Sequence, residues 1–343
     1  MTKQRRTTEK KPGVRTVAAA TGLSVATVSR VLNGSTLVRE ETRAQVIASM
    51  RELDYAPNAA ARALATRRTR TIAAVIPTLS HSIFARFLNA VELALAERGY
   101  ALVIATTDGD PQQEMVRVGE VLNMGAEGLI LSGATHPPEL LRLIEQRGLP
   151  TVCTSIHDPR YVLPTIGYDN AALGREALRY LIGLGHRRVA VVHGPLENND
   201  RTVLRLKGVK RGAGKDCVLD LVETSLDSEG GALSTRRLLE GPERPTAILC
   251  LSDVLALGVL FEARRSGFSV PADLSIMGFD DLDWAAVCEP PLTTLRLPTA
   301  RMGRCTADAL VDYLDNDSEL PHVKLKAALV ERASTAKANG PRQ

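Results

Sequence analysis

Aromatic side chains and cysteines are scarce in this sequence. Phe, Trp and Tyr make up 3% of the 343 residues, and there is a single tryptophan. The five cysteines are scattered, with no CxxC pair and no spacing typical of a metal site. We therefore expect free thiols in a reducing cytosol rather than disulfides or zinc. The cysteines are Cys153, Cys217, Cys250, Cys288 and Cys305.

Long apolar runs and catalytic signatures are also missing. No run approaches the roughly 18 residues that cross a membrane. No apolar segment follows the basic start MTKQRRTTEKK, so neither a membrane span nor a secretory signal is predicted. The sequence contains no GxGxxG, no nucleophile elbow and no HExxH. We expect a cytoplasmic protein that is not an enzyme and uses no cofactor or metal.

Positive charge is concentrated at the N-terminus. Residues 1–70 contain 14 Lys and Arg against 5 Asp and Glu, a net charge of +9. The whole chain is +4, which leaves residues 71–343 with −5. A basic head on a mildly acidic body is typical of a nucleic-acid binder. The length suggests roughly two to three domains.

The segment TVAAATGLSVATVSRVLN, residues 16–33, predicts two short helices joined by a turn. Thr16 and Ser24 are the expected N-caps, and Gly22 ends the first helix. The second helix has a buried face of Val28, Val31 and Leu32 at helical spacing. Its other face holds small or hydrogen-bonding side chains, which suit the DNA major groove, although an ordinary helical hairpin has the same pattern. That face consists of Ala26, Thr27, Ser29 and Arg30.

A third helix and an alanine-rich segment follow. Residues 39–53 predict a helix with Val46, Ile47, Met50 and Leu53 on its apolar side, which closes a small core. Residues 58–65 have high helix propensity but are short and have little to bury, so alone they should be marginal. They form either a plain linker or a helix that folds on a partner.

From Thr71 onward, short apolar runs alternate with amphipathic helices. TIAAVIP, ALVIATT, GLILSG and PTVCTS are predicted strands, and RRVAVVHG, TAILCLS and LSIMGFDD continue the pattern. This alternation indicates an α/β fold with parallel sheets covered by helices on both faces. The number of strands is too large for one compact open sheet and suggests two similar halves.

TVAAATGLSVATVSRVLNG followed by YAPNAAARALATRRTRTIAAVIP resembles the lactose/galactose repressor (LacI/GalR) family of bacterial transcription regulators. The resemblance implies an N-terminal all-α helix-turn-helix DNA-binding domain and two Rossmann-like subdomains of the periplasmic-binding-protein type. It implies a basic arm (1–13, disordered), the DNA-binding domain (14–56), a hinge helix and linker (57–70), and an effector-binding and dimerisation domain (71–332). The chain would cross between subdomains near 165, 293 and 325, and a disordered tail (333–343) would follow.

The resemblance also implies how the head binds an operator. The hinge helix would fold on DNA, pair with its dimer mate and wedge Leu64 into the minor groove. The implied partner is double-stranded DNA, bound by a homodimer. The implied DNA contacts are Thr16, Ser24, Val25, Ala26, Thr27, Ser29, Arg30 and Asn33 in the helix-turn-helix, and Asn58, Ala61, Arg62 and Leu64 in the hinge.

Polar residues that follow the predicted strands are candidates for an effector site, because ligands bind outside the carboxyl ends of parallel strands. By resemblance, Arg205 and Asp280 match regular effector contacts, and an arginine fork opposite a carboxylate suits a sugar or sugar acid. Asp253 is interpreted as a helix N-cap, and Asp281 either lines the site or lies in a solvated loop. Phe84 could instead belong to the core, and Trp284 to interdomain packing. The candidate effector residues are His81, Phe84, Thr154, Arg205, Ser252, Asp280 and Trp284.

Three departures from the family pattern concern the effector, not the fold. Ser252 stands where many members have Asn, and Leu226 where the lactose repressor has an aromatic wall. KGVKRGAG (207–214) is Gly-rich and charged where a long amphipathic helix is usual. Since 333–343 lacks apolar residues at heptad spacing, we expect a dimer. The alternatives to a ligand-responsive repressor are a periplasmic-type sugar receptor and an enzyme on the same scaffold.

Overall fold

The computed structural model describes residues 12–32, 37–55, 63–64, 66–215 and 217–338. The chain divides into two compact units, residues 1–70 and 71–343. The first is all helical: α1 is Val14–Thr21, α2 is Val25–Leu32 and α3 is Glu40–Glu52. The second unit is an α/β body of short strands and helices of 10 to 18 residues, as the alternating sequence pattern predicts.

The three helices of the head close over one small apolar cluster. Val17, Val28 and Val46 are fully buried at its centre, and Val31 and Leu32 complete the predicted face of α2. The turn forms as predicted. Gly22 ends α1 with a φ of 66°, and the Ser24 hydroxyl accepts from the Thr27 N–H at 3.1 Å.

Two details of the head differ from prediction. Thr16 is not the N-cap of α1, because Gly13 precedes the first helical residue and Thr16 lies one turn in. Its hydroxyl accepts from the Gly13 N–H at 3.1 Å, so it stabilises the helix start from inside. Ile47 is 39% exposed rather than part of the core, since the neighbouring Val46 takes the buried position on α3.

Strands and helices alternate along most of the body. In chain order its first elements are β1 (Thr71–Ile76), α4 (Ser82–Glu97), β2 (Ala101–Thr106), α5 (Pro111–Asn123), β3 (Gly128–Ser132), α6 (Pro138–Arg147), β4 (Thr151–Thr154) and β5 (Thr165–Gly167). The next are α7 (Asn170–Gly183), β6 (Arg188–His193), α8 (Asp200–Gly212), β7 (Val218–Glu223), α9 (Ser228–Glu240), β8 (Ala247–Cys250), α10 (Asp253–Arg265) and β9 (Ser275–Met277). The last are a 3-10 turn (Asp283–Ala286), β10 (Thr294–Arg296), α11 (Thr299–Asn316), β11 (Val323–Lys324) and β12 (Ala328–Val330).

These strands form two parallel sheets and one short antiparallel pair. The first sheet has the order β11-β5-β4-β3-β1-β2 and the second β7-β6-β8-β9, while β10 pairs with β12. Strand β11 returns to pair with β5, with Val323 opposite Ile166, so the first half is built from two separated stretches of chain. The predicted crossing points near 165, 293 and 325 lie beside β5, β10 and β11; the division into domains stays a prediction.

Helices α7 and α8 pack so closely that each requires a glycine. A Cβ on Gly174 would overlap the carbonyl oxygen of Arg205, and a Cβ on Gly208 would overlap the carbonyl oxygen of Ala171. The Gly-rich charged segment at 207–214 is therefore no interruption. It is the end of α8, which runs from Asp200 to Gly212 with Gly208 at the point of closest approach.

The C-terminal segment is a correction to the sequence prediction. Residues 333–338 were expected to be disordered, yet Ser334 is fully buried. Its hydroxyl donates to the Ile276 carbonyl at 2.6 Å, and the Ala338 N–H donates to the Leu184 carbonyl at 2.8 Å. Backbone and hydroxyl pairing needs no apolar pattern, which is why the pattern did not reveal it. Residues 339–343, like 1–11, 33–36, 56–62, 65 and 216, lie outside the described residues.

Two other predictions concern thiols and membranes. All five cysteines are free, and Cys153, Cys217 and Cys250 are buried. Within the described ranges, no helix has both the length and the apolar character needed to cross a membrane.

The α7–α8 contact yields a stability prediction. Gly208→Ala should destabilise the body by about 1–3 kcal/mol, because the added methyl group forces two backbones apart. Urea unfolding of the full chain measures this. Gly119→Ala on α5 is the matched control: beyond its chain neighbours and the backbone of its own helix, no atom lies within 4 Å of its Cβ position. This variant should be neutral or stabilised by up to about 1 kcal/mol. Equal stabilities of the two variants would contradict the packing account.

Candidate functional site

A cavity of about 310 Å³ opens where the carboxyl ends of both sheets meet. Its first side comes from the loop after β1 and the start of α4, with His81 and Phe84 among the lining residues. Its second side comes from α8, the end of β8 and the loop after β9, which contribute Arg205, Ser252 and Asp280. The volume lies at the lower end of the range for small-molecule pockets.

Arg205 is a buried cation in the lining of this cavity and is only 7% exposed. Its Nε donates to Asn170 Oδ1 at 3.0 Å, and its Nη1 donates to the Leu251 carbonyl at 2.8 Å. The guanidinium lies 3.9 Å above the centre of the Phe279 ring. These contacts hold the planar guanidinium in one orientation.

Asp280 is the anion that faces Arg205. Its Oδ1 lies 3.9 Å from Arg205 Nη1, and its Oδ2 accepts from the Ser252 hydroxyl at 2.9 Å. The backbone at Asp280 has a φ of 134°, a conformation that non-glycine residues rarely adopt and that is typical of constrained ligand sites. Burial raises the pKa of this carboxyl, while the charge of Arg205 and the Ser252 hydrogen bond oppose the shift.

Asp253 supports the loop that carries Asp280, and it is not a helix N-cap. The N-cap of α10 is Ser252, whose hydroxyl accepts from the Val254 N–H. The Asp253 carboxylate instead accepts from the Leu282 N–H at 2.9 Å and from the Thr294 hydroxyl at 2.7 Å. Complete burial, aided by the nearby Asp280 charge, raises its pKa to about 7.

Asp281 lies neither in the cavity nor in a solvated loop. Its side chain is buried and accepts from Arg296 Nε at 2.5 Å and from Arg332 Nη2 at 2.7 Å. Burial alone would raise the pKa of this carboxyl, but the hydrogen bonds and charges of the two arginines lower it overall. Arg86 on α4 donates to the Asp281 carbonyl at 2.6 Å, so this cluster ties the two halves of the body together.

Five of the seven predicted effector residues line the cavity: His81, Phe84, Arg205, Ser252 and Asp280. Thr154 does not, since its hydroxyl donates inside the first sheet to the Leu131 carbonyl at 2.9 Å. The cavity residue is its neighbour Ser155, because successive side chains at a strand end point to opposite faces. Trp284 does not line the cavity either, and it packs against the core of the second half.

Several residues in or behind the cavity were not predicted from the sequence. Asn170 lies behind the lining, where it orients Arg205 and also donates to the Ser155 carbonyl at 2.9 Å; its place at the start of α7, beside Asp169, gave only a capping signal. Four residues that do line the cavity had no motif at all: Tyr168, Asn199, Thr202 and Met302. Leu226, noted as a departure from the family's aromatic wall, does line the cavity.

The outward face of α2 is open in the head. Val25 is 47% exposed, Ala26 and Arg30 are exposed, and Thr27 and Ser29 are half-buried. Leu64 is 84% exposed. Asn33, Asn58, Ala61 and Arg62 lie outside the described residues.

The described residues do not provide a metal site. No group of three or more His, Cys, Asp or Glu side chains among them could hold a metal ion. The cavity combines the oriented Arg205, the facing carboxylate of Asp280 and apolar side chains, and Arg201, Asp108 and Glu197 also belong to its lining. This arrangement suits a small polar molecule.

A basic helix-turn-helix head followed in sequence by two parallel-sheet halves around such a cavity defines a ligand-responsive DNA-binding transcriptional regulator. Residues 14–58 match the family described as bacterial regulatory proteins, lacI family. Residues 178–335 match the periplasmic binding protein-like domain.

Known proteins support the same assignment over nearly the whole chain. The HTH-type transcriptional repressor CytR of Escherichia coli (strain K12) is 33% identical over 303 residues, covering 87% of this chain and 88% of CytR. The lac repressor dimer bound to operator and the anti-inducer ONPF superposes with a TM-score of 0.84 at 25% identity, covering 95% of this chain and 100% of that one. The CelR–cellobiose complex gives 0.69 at 31% identity, covering 94% and 99%. The chain belongs to the lacI family of bacterial regulatory proteins.

The raised pKa of Asp253 predicts a pH-dependent stability. In the unfolded chain this carboxyl ionises near pH 4, but in the folded protein it keeps its proton to about pH 7. The folded state therefore binds more protons between these values, and stability is lost as pH rises, at up to roughly 1.4 kcal/mol per pH unit.

Asp253→Asn removes this titration and keeps the shape of the side chain. The difference in unfolding free energy between this variant and wild type should grow in the variant's favour from pH 4 to pH 7. Urea unfolding at several pH values measures it. Parallel pH profiles for the two proteins would contradict a raised pKa at Asp253.

Proposed function

We propose that this regulator is a repressor that binds a pseudo-palindromic operator as a homodimer, and that a small sugar or sugar acid in the cavity switches its operator affinity. The related structures support this proposal by what they contain: a dimer on its operator in the lac repressor and cellobiose in CelR. The protein would act in the cytoplasm and without catalysis.

The proposed division of labour follows the predicted domains. Residues 14–56 would bind DNA, 57–70 would form the hinge and linker, and 71–332 would bind the effector and dimerise, with crossings near 165, 293 and 325. The arm at 1–13 would add phosphate contacts. A clear separation of the chain at Arg70–Thr71 supports the boundary between linker and body.

The exposed face of α2 carries the proposed base reading. Val25 and Ala26 offer apolar surface, for which a thymine methyl group is a natural partner, and Arg30 can fork onto guanine or hold a phosphate. The other proposed contacts from the helix-turn-helix are Thr16, Ser24, Thr27, Ser29 and Asn33.

The hinge would supply a second contact in the minor groove. Leu64 is 84% exposed, so most of its apolar side chain is in contact with water. An apolar wedge between base steps is a known way to bend DNA. Asn58, Ala61 and Arg62 would approach the groove from the same segment.

The observation that carries the effector proposal is the buried, oriented fork of Arg205 opposite Asp280. The guanidinium hydrogens that Asn170 and Leu251 do not use can donate to hydroxyls or a carboxylate of the ligand. Asp280 can accept from hydroxyls on the other side of the ligand. Phe84 and Leu226 give apolar surface for the faces of a sugar ring, and His81 and Ser252 give further polar contacts.

Arg30→Ala tests the reading of bases by α2. If Arg30 forks onto a base, operator affinity should fall by about 1–3 kcal/mol and sequence preference should relax at one position of each half-site. Selection from a random duplex library followed by gel-shift titration measures both. Arg51→Ala on α3 removes the same charge from another helix and should leave the selected sequence unchanged. An Arg30→Ala protein with the wild-type affinity and sequence preference would remove this role.

Arg205→Lys tests the cavity while retaining the positive charge. A thermal-shift screen of sugars and sugar acids should find a ligand that raises the melting temperature of wild type, and this rise should be lost in Arg205→Lys because lysine has no fork. Arg188→Lys is the control, since Arg188 pairs with Asp220 at 3.0 Å outside the cavity. A ligand that stabilises wild type and Arg205→Lys equally would place the site elsewhere, and a panel with no stabilising member would contradict the sugar class.

A further inference from the structure

The turn after β3 is held from the second half of the body by a carboxylate that does not line the cavity. Asp200, the first residue of α8, accepts from the Ala134 N–H through Oδ2 at 2.6 Å. Its Oδ1 accepts from its neighbour Arg201, at 2.8 Å from the backbone N–H and 2.9 Å from Nη1. Both side chains are largely buried, at 16% and 15% exposed, so this is not a solvated surface pair.

The same turn is shaped to receive that pair. Gly133 has a φ of 85°, and a Cβ at this position would overlap Arg201 Nη1 and crowd the Asp200 carboxylate. A side chain is therefore excluded by both conformation and space. Gly133 also donates its N–H to the Thr154 carbonyl at 2.9 Å, which anchors the turn to the first sheet.

A buried pair of side chains, His136 and Glu114, also contacts the turn. His136 Nε2 lies 3.2 Å from the Gly133 carbonyl oxygen, and its Nδ1 lies 2.9 Å from a carboxylate oxygen of Glu114 on α5. The ring is therefore held at both nitrogens, and Nε2 also lies 3.5 Å from Cys153 Sγ. The His136 side chain is fully buried.

Helix α8 connects this turn directly to the cavity. Asp200 and Arg201 form its first turn, and Arg205 lies one turn further along the same helix. Arg201 and Arg205 both line the cavity, whereas Asp200 does not. A ligand that moved α8 through Arg205 would therefore strain or relieve the Asp200–Ala134 hydrogen bond.

We propose that Asp200 is a positioning residue that ties α8 to the first half of the body, and that the His136–Glu114 pair fixes the turn it binds. The tie favours one arrangement of the two halves, so its loss shifts the population of arrangements and with it the operator affinity. Asp200 does this without touching ligand or DNA. The proposal rests on the proposed function, in which the arrangement of the two halves controls operator binding.

Hydrogen exchange of the full-length, ligand-free protein tests the tie itself. In Asp200→Ala, exchange at the Ala134 amide should be about tenfold faster or more, because a charge-assisted hydrogen bond protects it in wild type. The matched control is Asp220→Ala, which removes a carboxylate paired with Arg188 inside the second half and should leave Ala134 unchanged. Equal protection of Ala134 in wild type and Asp200→Ala would overturn the proposal.

A separate variant tests whether the His136–Glu114 pair fixes the turn. Glu114→Gln keeps the size of the side chain but removes the charge that faces His136. Exchange at Ala134 should increase, and the unfolding midpoint should move less than it does for Gly208→Ala, since the core packing is untouched. An unchanged exchange rate of the Ala134 amide in Glu114→Gln would exclude a role of the His136–Glu114 pair in fixing the turn.

Operator affinity separates positioning from mere structural support. On a duplex selected by the wild-type protein, Asp200→Ala should change the dissociation constant about fivefold or more, whereas Asp220→Ala should not. Faster exchange at Ala134 with unchanged operator affinity would overturn the coupling. None of these measurements uses a ligand. A thermal-shift screen that finds no stabilising sugar would therefore contradict the proposed function without affecting the test of the Asp200–Ala134 hydrogen bond.

Discussion

The buried guanidinium of Arg205 is the interaction on which the rest of the site depends. Removing a cation from water is costly unless it is paired and hydrogen-bonded. Here the compensation comes from Asn170 at the start of α7, the Leu251 carbonyl after β8 and the face of Phe279 after β9, with Asp280 opposite. These groups belong to different elements. The buried cation is therefore stable only when the fold brings the carboxyl ends of the strands together, and the same convergence forms the site.

The neighbouring helices and loops position the Arg205 side chain and its partners. Gly174 and Gly208 let α7 and α8 approach until backbone meets backbone, which brings Asn170 to Arg205. Asp253 holds the Leu282 N–H and so keeps the loop around Asp280 in its constrained shape. Stabilising this loop with a carboxylate whose pKa is raised to about 7 means that the site is maintained at some cost in stability at neutral pH. Such costs are typical of ligand sites that are preorganised rather than optimised for stability.

Much of this could be predicted from the sequence, and the failures have definite physical causes. Periodicity and family resemblance gave the helix-turn-helix, the alternating α/β body and the positions of Arg205 and Asp280. Thr154 was wrong by one residue, because adjacent side chains at a strand end face opposite ways. Asp281 was misjudged since its partner Arg332 is 51 residues distant in sequence. The tail at 333–338 was missed because hydrogen bonding by Ser334 leaves no periodic signal.

In the proposed coupling, a ligand in the cavity and DNA on the head bias the same equilibrium. Reciprocal titrations measure this coupling: a stabilising sugar or sugar acid is titrated against the protein with and without operator, and operator is titrated with and without that ligand. The two affinities should change by the same factor, on the order of 5- to 150-fold, because coupling between two sites is mutual. A ligand that binds the cavity with an affinity indifferent to operator would contradict it.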